Sequence, residues 1–184
     1  MVETAAPLQH LCIDDYLELE RDGLFRHEYI AGKLFARLDV TRRHNQIAGN
    51  ILCKLWDAAS GTSCRVYMSA MKLRVSDDMF YYPDAMVVCG PEVEDPYLEV
   101  DPCLIVEIIS PSTETTDRRE KLATYTAIPS LQTYLIVEQD SMRVERHYRN
   151  ARGEWLHTTL LDQSAIPVPY LETTLAIADI YRGL

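Results

Sequence analysis

The chain has 184 residues, 47% of them apolar and 25% charged, which is globular composition and excludes disorder, collagen and coiled coil. Its length predicts one domain spanning residues 1–184. Lys plus Arg number 18 against 28 for Asp plus Glu, giving a formal net charge of −10. That excludes a protein held on nucleic acid or anionic membrane by general basicity, but not one with a local basic groove or a carboxylate-held cation.

Asp14 to Arg21 reads as a first helix with acids in its opening turn, ended near Gly23. His27 to Asp39 reads as a hairpin turning at Ala31-Gly32-Lys33. Thr41 is placed to cap a helix in which Ile47, Ile51 and Leu55 recur at i, i+4, i+8, closed by Gly61. Arg65 to Val75 and Tyr81 to Cys89 read as two strands around Ser76-Asp77-Asp78, followed by an acidic loop from Glu92 to Asp101. Cys103 to Ile109 is apolar at almost every position, which predicts a strand covered on both faces in the middle of a sheet. After it, Asp117 to Glu120 has the spacing of a capping box and opens a helix to about Ile128, where Pro129 stops it. Gln132 to Glu138 is a second buried strand, expected parallel to the first through that helix. Met142 to Arg149 and Trp155 to Leu161 make outer antiparallel strands, and Leu175 to Tyr181 a short C-terminal helix. The sum is an α/β class, an α+β mixed sheet flanked by helices with antiparallel C-terminal strands.

No stretch approaches the about 18 to 20 apolar residues of a membrane span. The opening MVETAAPLQHLC has neither a basic nor an apolar leader region, so no secretory signal is expected, in keeping with a cytoplasmic chain. Cys12, Cys53, Cys64, Cys89 and Cys103 contain no C-x-x-C pair. Their odd number and spacing predict reduced, mostly buried thiols in a reducing, cytoplasm-like compartment, and not a disulfide frame or a zinc knuckle.

Two carboxylates do not fit a plain core. Glu107 shares a strand face with Ile105 and Ile109, where an ionised carboxylate costs roughly several kcal/mol unless cations or donors meet it. Asp84 lies on the same face of its strand as Tyr82 and Met86, beside Pro83. Singly, each has an ordinary reading: a buried Glu paired with an Arg or a helix N-terminus, and a turn Asp bonding nearby amides. On neighbouring strands they could share a divalent ion, with the carbonyl of Ile108 as a third oxygen, a hard site suited to Mg²⁺ or Mn²⁺. Asp117, Lys121 and Tyr125 fall on one helical stripe, either as a surface ion pair worth about 0.3 to 0.5 kcal/mol or as part of the same site. His44 reads as a core histidine, and His147 and His157 as surface residues of the outer strands. There is no G-x-x-x-x-G-K, G-x-G-x-x-G, H-E-x-x-H or G-x-S-x-G.

These residues give the chain a resemblance to PD-(D/E)XK nuclease-like domains, and more closely to the bacterial Uma-type family of restriction-endonuclease-like proteins. The matching words are Arg26-His27-Glu28-Tyr29-Ile30-Ala31-Gly32-Lys33-Leu34, His44, Tyr82-Pro83-Asp84 and Val106-Glu107-Ile108-Ile109-Ser110-Pro111-Ser112-Thr113, then Asp117, Glu120-Lys121 and Tyr125. The resemblance implies a restriction-endonuclease-like core and metal-dependent cleavage of DNA phosphodiesters. It implies Asp84 and Glu107 as metal ligands, Glu28 supporting a second ion or orienting a ligand, and Lys121 acting on the attacking water or the developing charge. The superfamily's usual lysine position, two residues after the strand carboxylate, is Ile109 here, so Lys121 is similar to a migrated replacement. Two alternatives stay open: a non-catalytic nucleic-acid-binding module that kept the pocket, and a metal-dependent hydrolase of a small phosphorylated substrate. A homodimer is expected, since the outer strands near Trp155 are apolar and two sites suit cutting both strands.

Overall fold

Residues 10–37, 40–109 and 116–184 are described by a computed structural model. Helix α1 (Ile13–Asp22) opens at Cys12, whose sulfur accepts the Asp15 N–H, and stops where Gly23 turns extended. The predicted hairpin follows as β1 (His27–Ile30) and β2 (Lys33–Ala36). Both turn residues, Ala31 at φ 47° and Gly32 at φ 87°, take the left-handed conformation that a tight two-residue hairpin demands. A Cβ at Gly32 would overlap the His10 ring. Helix α2 (Arg42–Ala59) is capped by Thr41, whose hydroxyl accepts the His44 N–H at 3.1 Å.

Each of the two long strands predicted next is broken in the middle. Arg65 to Val75 divides into β3 (Arg65–Met68) and β4 (Lys72–Ser76), and Tyr81 to Cys89 into β5 (Met79–Tyr81) and β6 (Ala85–Val88). The first break is a turn closed by the Met71 N–H on the Met68 carbonyl. The second falls at Pro83, which has no N–H to carry a ladder onward. At both breaks the chain passes from one sheet to another, a change that periodicity along one strand does not register.

The short β7 (Leu98–Glu99) pairs with β4. Then come β8 (Leu104–Ile109), a π-helical turn (Thr116–Lys121), α3 (Leu122–Thr126), β9 (Thr133–Glu138), β10 (Arg143–Arg149) and β11 (Trp155–Leu161). Six strands order as β11-β10-β9-β8-β6-β3, and five as β2-β1-β5-β4-β7. All six residues of β8 are buried, and it runs inside its sheet, antiparallel to β6 and parallel to β9, as its apolar run predicts. Leu104, Val106 and Ile108 pack with Ile47, Ile51 and Leu55 of α2, while Ile105 and Ile109 pack on the opposite face with Tyr125 and Tyr134.

Three further expectations need correction. Asp117 lies within the π-helical turn, its carboxylate facing Lys121, and does not stand ahead of a helix as a cap. The expected C-terminal helix is largely strand: β12 (Ala165–Val168) pairs with β13 (Thr173–Ala176), leaving α4 only Ile177–Ile180. The β-branched Thr173 and Thr174 favour that strand. Cys64 and Cys89 are joined in a disulfide, and of the remaining thiols only Cys103 is buried. The β3–β6 register sets Arg65 opposite Val88, so Cys64 and Cys89 face each other with Cα atoms 4.0 Å apart. Pairing across strands is invisible to a search for C-x-x-C, and the inference of a reducing compartment loses its basis. The Ser110-Pro111-Ser112-Thr113 loop and Asp39 lie outside the described residues. Among those described, no helix is long and apolar enough to cross a membrane.

Asn50 on α2 ties down the C-terminus, its amide donating to the carbonyls of Ile180 at 3.0 Å and Arg182 at 2.9 Å. Asn50→Ala strands both acceptors and is expected to cost about 1–3 kcal/mol in urea unfolding.

Candidate active site

Glu107 projects from β8 onto the face that carries Ile105 and Ile109, and is 5% exposed. Its Oε1 accepts from the Tyr125 hydroxyl at 2.8 Å and from the Lys121 ammonium at 3.0 Å. The same ammonium lies 3.0 Å from Glu28 Oε1 on β1 and 3.3 Å from Asp117 Oδ1. It also stands over the Tyr81 ring, 5.6 Å from its centroid. Tyr81 packs edge-on to Tyr125, which packs likewise on Tyr134, and the Tyr134 hydroxyl donates to the Asp117 carbonyl. Asp117 and Lys121 are 2% and 7% exposed, so their pairing is no surface ion pair.

Asp84 sits at the Pro83 break, where the chain enters β6. Tyr82, two residues earlier, is anchored by donating its hydroxyl to buried Glu20 on α1 at 2.5 Å. With the strand ladder interrupted, the Asp84 Oδ2 accepts the Ile108 N–H at 2.8 Å. His44 Nε2 lies 3.1 Å from the same oxygen, and Arg37 stands 3.6 Å from Oδ1. Ala85 pairs with Val106, so the register carried one residue further sets Asp84 opposite Glu107. The His44 Nδ1 is buried with no hydrogen-bond partner among the described residues.

Burial pushes the Glu107 carboxyl up to about 8; Lys121 opposes the rise, while Asp117, Asp84 and Glu28 add to it. Burial acts against the Lys121 charge as well, yet Glu107, Glu28 and Asp117 hold its pKa well above the ordinary lysine range. The ammonium therefore keeps its proton, and the carboxylates compete for a single cation.

The structure brings Glu28, Glu107, Lys121, Asp117 and Tyr125 into one contact set, with Asp84 and His44 beside it. Ile108 meets Asp84 through its amide. Arg37, Tyr81 and Tyr134 belong to this neighbourhood and carry no signal in the sequence: Arg37 follows a hairpin strand, and the tyrosines read as packing. Away from it, Glu145, His147 and His157 place one ligand atom each within 4.8 Å of the others. His147 is half-buried, against the expectation of a surface residue, and burial and then the facing His157 lower its pKa.

Residues 13–178 match the Uma2 family, described as "Putative restriction endonuclease". The chain belongs to the Uma2 family. Two uncharacterized proteins of Synechocystis sp. are similar to it: one is 30% identical over 98% of this chain and 96% of the relative, the other 28% identical over 82% and 88%. Its fold is that of a crystal structure from Anabaena variabilis, described as a "putative nuclease belonging to DUF820". The two superpose with a TM-score of 0.77 at 18% identity, covering 93% of this chain and 97% of that one. The Uma2 chain thus has an α/β restriction-endonuclease-like architecture.

A divalent ion fits this Uma2 site on two grounds. Glu28, Asp84, Glu107 and Asp117 are all carboxylates, the hard oxygen donors that Mg²⁺ and Mn²⁺ prefer. Among the described residues the full cations these four contact are Lys121 and Arg37, two against four carboxylates. Because the folded chain keeps the Glu107 proton that the unfolded chain releases, its contribution to stability is present below about 4.5 and is lost as pH rises through about 8. In chelator, the urea midpoint of the wild type is therefore expected to fall between pH 5 and pH 8. Glu107→Gln, which never ionises, is expected to flatten that slope.

Proposed function

We propose that this chain is a divalent-metal-dependent nuclease that hydrolyses phosphodiester bonds in DNA, acting as one domain. The observation that carries the proposal is the convergence of three carboxylates on one buried ammonium, beside an aspartate held by the amide of the next strand. Membership of a family described as "Putative restriction endonuclease" and the fold of a "putative nuclease" support the same reading.

Asp84, Glu107 and the carbonyl of Ile108 would hold Mg²⁺ or Mn²⁺, with Glu28 supporting a second ion or orienting a ligand. Such an ion, when bound, supplies Lewis acidity toward the phosphoryl oxygens and an acidified water. The remaining work falls to the chain. The Ile108 N–H and His44 fix the Asp84 carboxylate, and the Tyr125 hydroxyl fixes Glu107. Lys121, protonated and poorly solvated, positions the attacking water or steadies negative charge developing on the phosphate, where a desolvated cation is most effective. Arg37, three-quarters buried and touching Asp84, is placed to neutralise a phosphate oxygen. Pairing of two copies is supported by β11, an edge strand with Leu156 and Leu161 exposed.

Supercoiled plasmid incubated with Mn²⁺ is expected to be nicked or linearised by the wild type. Lys121→Met keeps the aliphatic stem and removes the charge; it is expected to cut turnover by about 10²–10³-fold while Mn²⁺ binding, followed by calorimetry, is retained. Retarded but intact DNA would point to a binding module, and cleavage confined to nucleotides would point to a small phosphorylated substrate. Cleavage by Lys121→Met at the wild-type rate would remove the lysine from the chemistry.

A further inference from the structure

The second cluster of ligating side chains stands on the β10–β11 hairpin. His147 and His157 are directly opposite in the register, and Glu145, two residues before His147, projects from the same face. The sheet aligns Glu145 with Ile136 and Ile136 with Glu107, and His147 with Tyr134. The hairpin cluster therefore shares the face that carries Glu107 but lies two strands away, about 10 Å at ordinary strand spacing. The His147 ring is held between Tyr134, at 6.2 Å between centroids, and His157, at 4.6 Å. Glu145 is buried and His157 exposed, so the cluster has a fixed inner wall and an outer side open to solvent.

We propose that Glu145, His147 and His157 form a binding site for a late first-row transition ion, Zn²⁺ or one of similar ligand preference, separate from the carboxylate site. Two imidazoles and a carboxylate are the donors that such ions select and that Mg²⁺ does not. With bonds of about 2.0–2.2 Å, the three atoms must draw in from their present spread of up to 4.8 Å, a movement the exposed His157 side chain can supply.

The charged groups facing the cluster permit this. Arg118 and Arg143 both contact Glu145 Oε1, Arg143 at 3.0 Å. Each guanidinium is also 2.9 Å from Glu138 Oε1, so a metal that takes a share of Glu145 leaves both arginines with a carboxylate partner. Arg118 belongs to the same π-helical turn as Lys121, so occupation of the hairpin would be felt beside the carboxylate site.

Zinc titrated calorimetrically into the whole chain in excess Mg²⁺ tests the site. The wild type and Asp84→Asn are each expected to bind one equivalent, whereas His147→Ala and His157→Ala bind at least tenfold more weakly. Thermal unfolding in chelator separates lost ligands from lost fold: His157 is exposed, so its variant is expected to unfold at the wild-type temperature. Three results would overturn the proposal: no zinc equivalent in the wild type, a wild-type isotherm from His157→Ala, or loss of the equivalent in Asp84→Asn, Cys12→Ser or Cys53→Ser.

Discussion

An ammonium almost without water, surrounded by carboxylates from different parts of the chain, holds the two large sheets in register with each other. Glu28 comes from the five-stranded sheet, Glu107 from the six-stranded sheet and Asp117 from the π-helical turn, and Lys121 touches all three. Removing one partner from such a buried set costs about 3–5 kcal/mol, although assembling it from water yields little net stability. Apolar side chains of the same volume would serve stability as well or better. Stability alone therefore does not account for the arrangement, and the tyrosine cage around it limits where the lysine can go.

Asp84 depends on a different feature, the interruption of a strand. Pro83 removes a ladder donor just where the chain leaves one sheet for the other, and the aspartate carboxylate takes up the Ile108 amide that the break leaves available. His44 and Arg37 approach the same carboxylate from the cap of α2 and the end of the hairpin. Three separate segments thus converge on one oxygen pair. Tyr82, just ahead of the break, is anchored on Glu20.

Much of this was legible in the residues. An apolar run interrupted by one glutamate predicts both the interior position of β8 and the anomaly of Glu107, because burial on two faces leaves a carboxylate nowhere to hide. The Asp117, Lys121 and Tyr125 stripe was readable from spacing alone, since a π-helical turn still keeps residues four apart on nearly one side. What escaped was everything set by contacts between segments: the double crossing of residues 65–88 between sheets, the Cys64–Cys89 bond and the contact of Arg37 with Asp84. The C-terminal strands escaped for another reason. Their apolar positions suit period 2 and period 3.6 about equally over so short a stretch, and packing of Ile166, Val168 and Leu175 into the main core decides between them.

The segment from β3 to β6 is shared between two sheets, β4 pairing with β5 in one and β3 with β6 in the other. The pairs that close the structure are non-local: β1 with β5, and β8 with β9 around a crossover. Each must meet the entropy of loop closure before its contacts repay it, which places this topology among the slower folders for its length. Lys121 can meet Glu28 only after both closures. A partly folded or nascent chain consequently carries scattered, solvated carboxylates and no assembled centre.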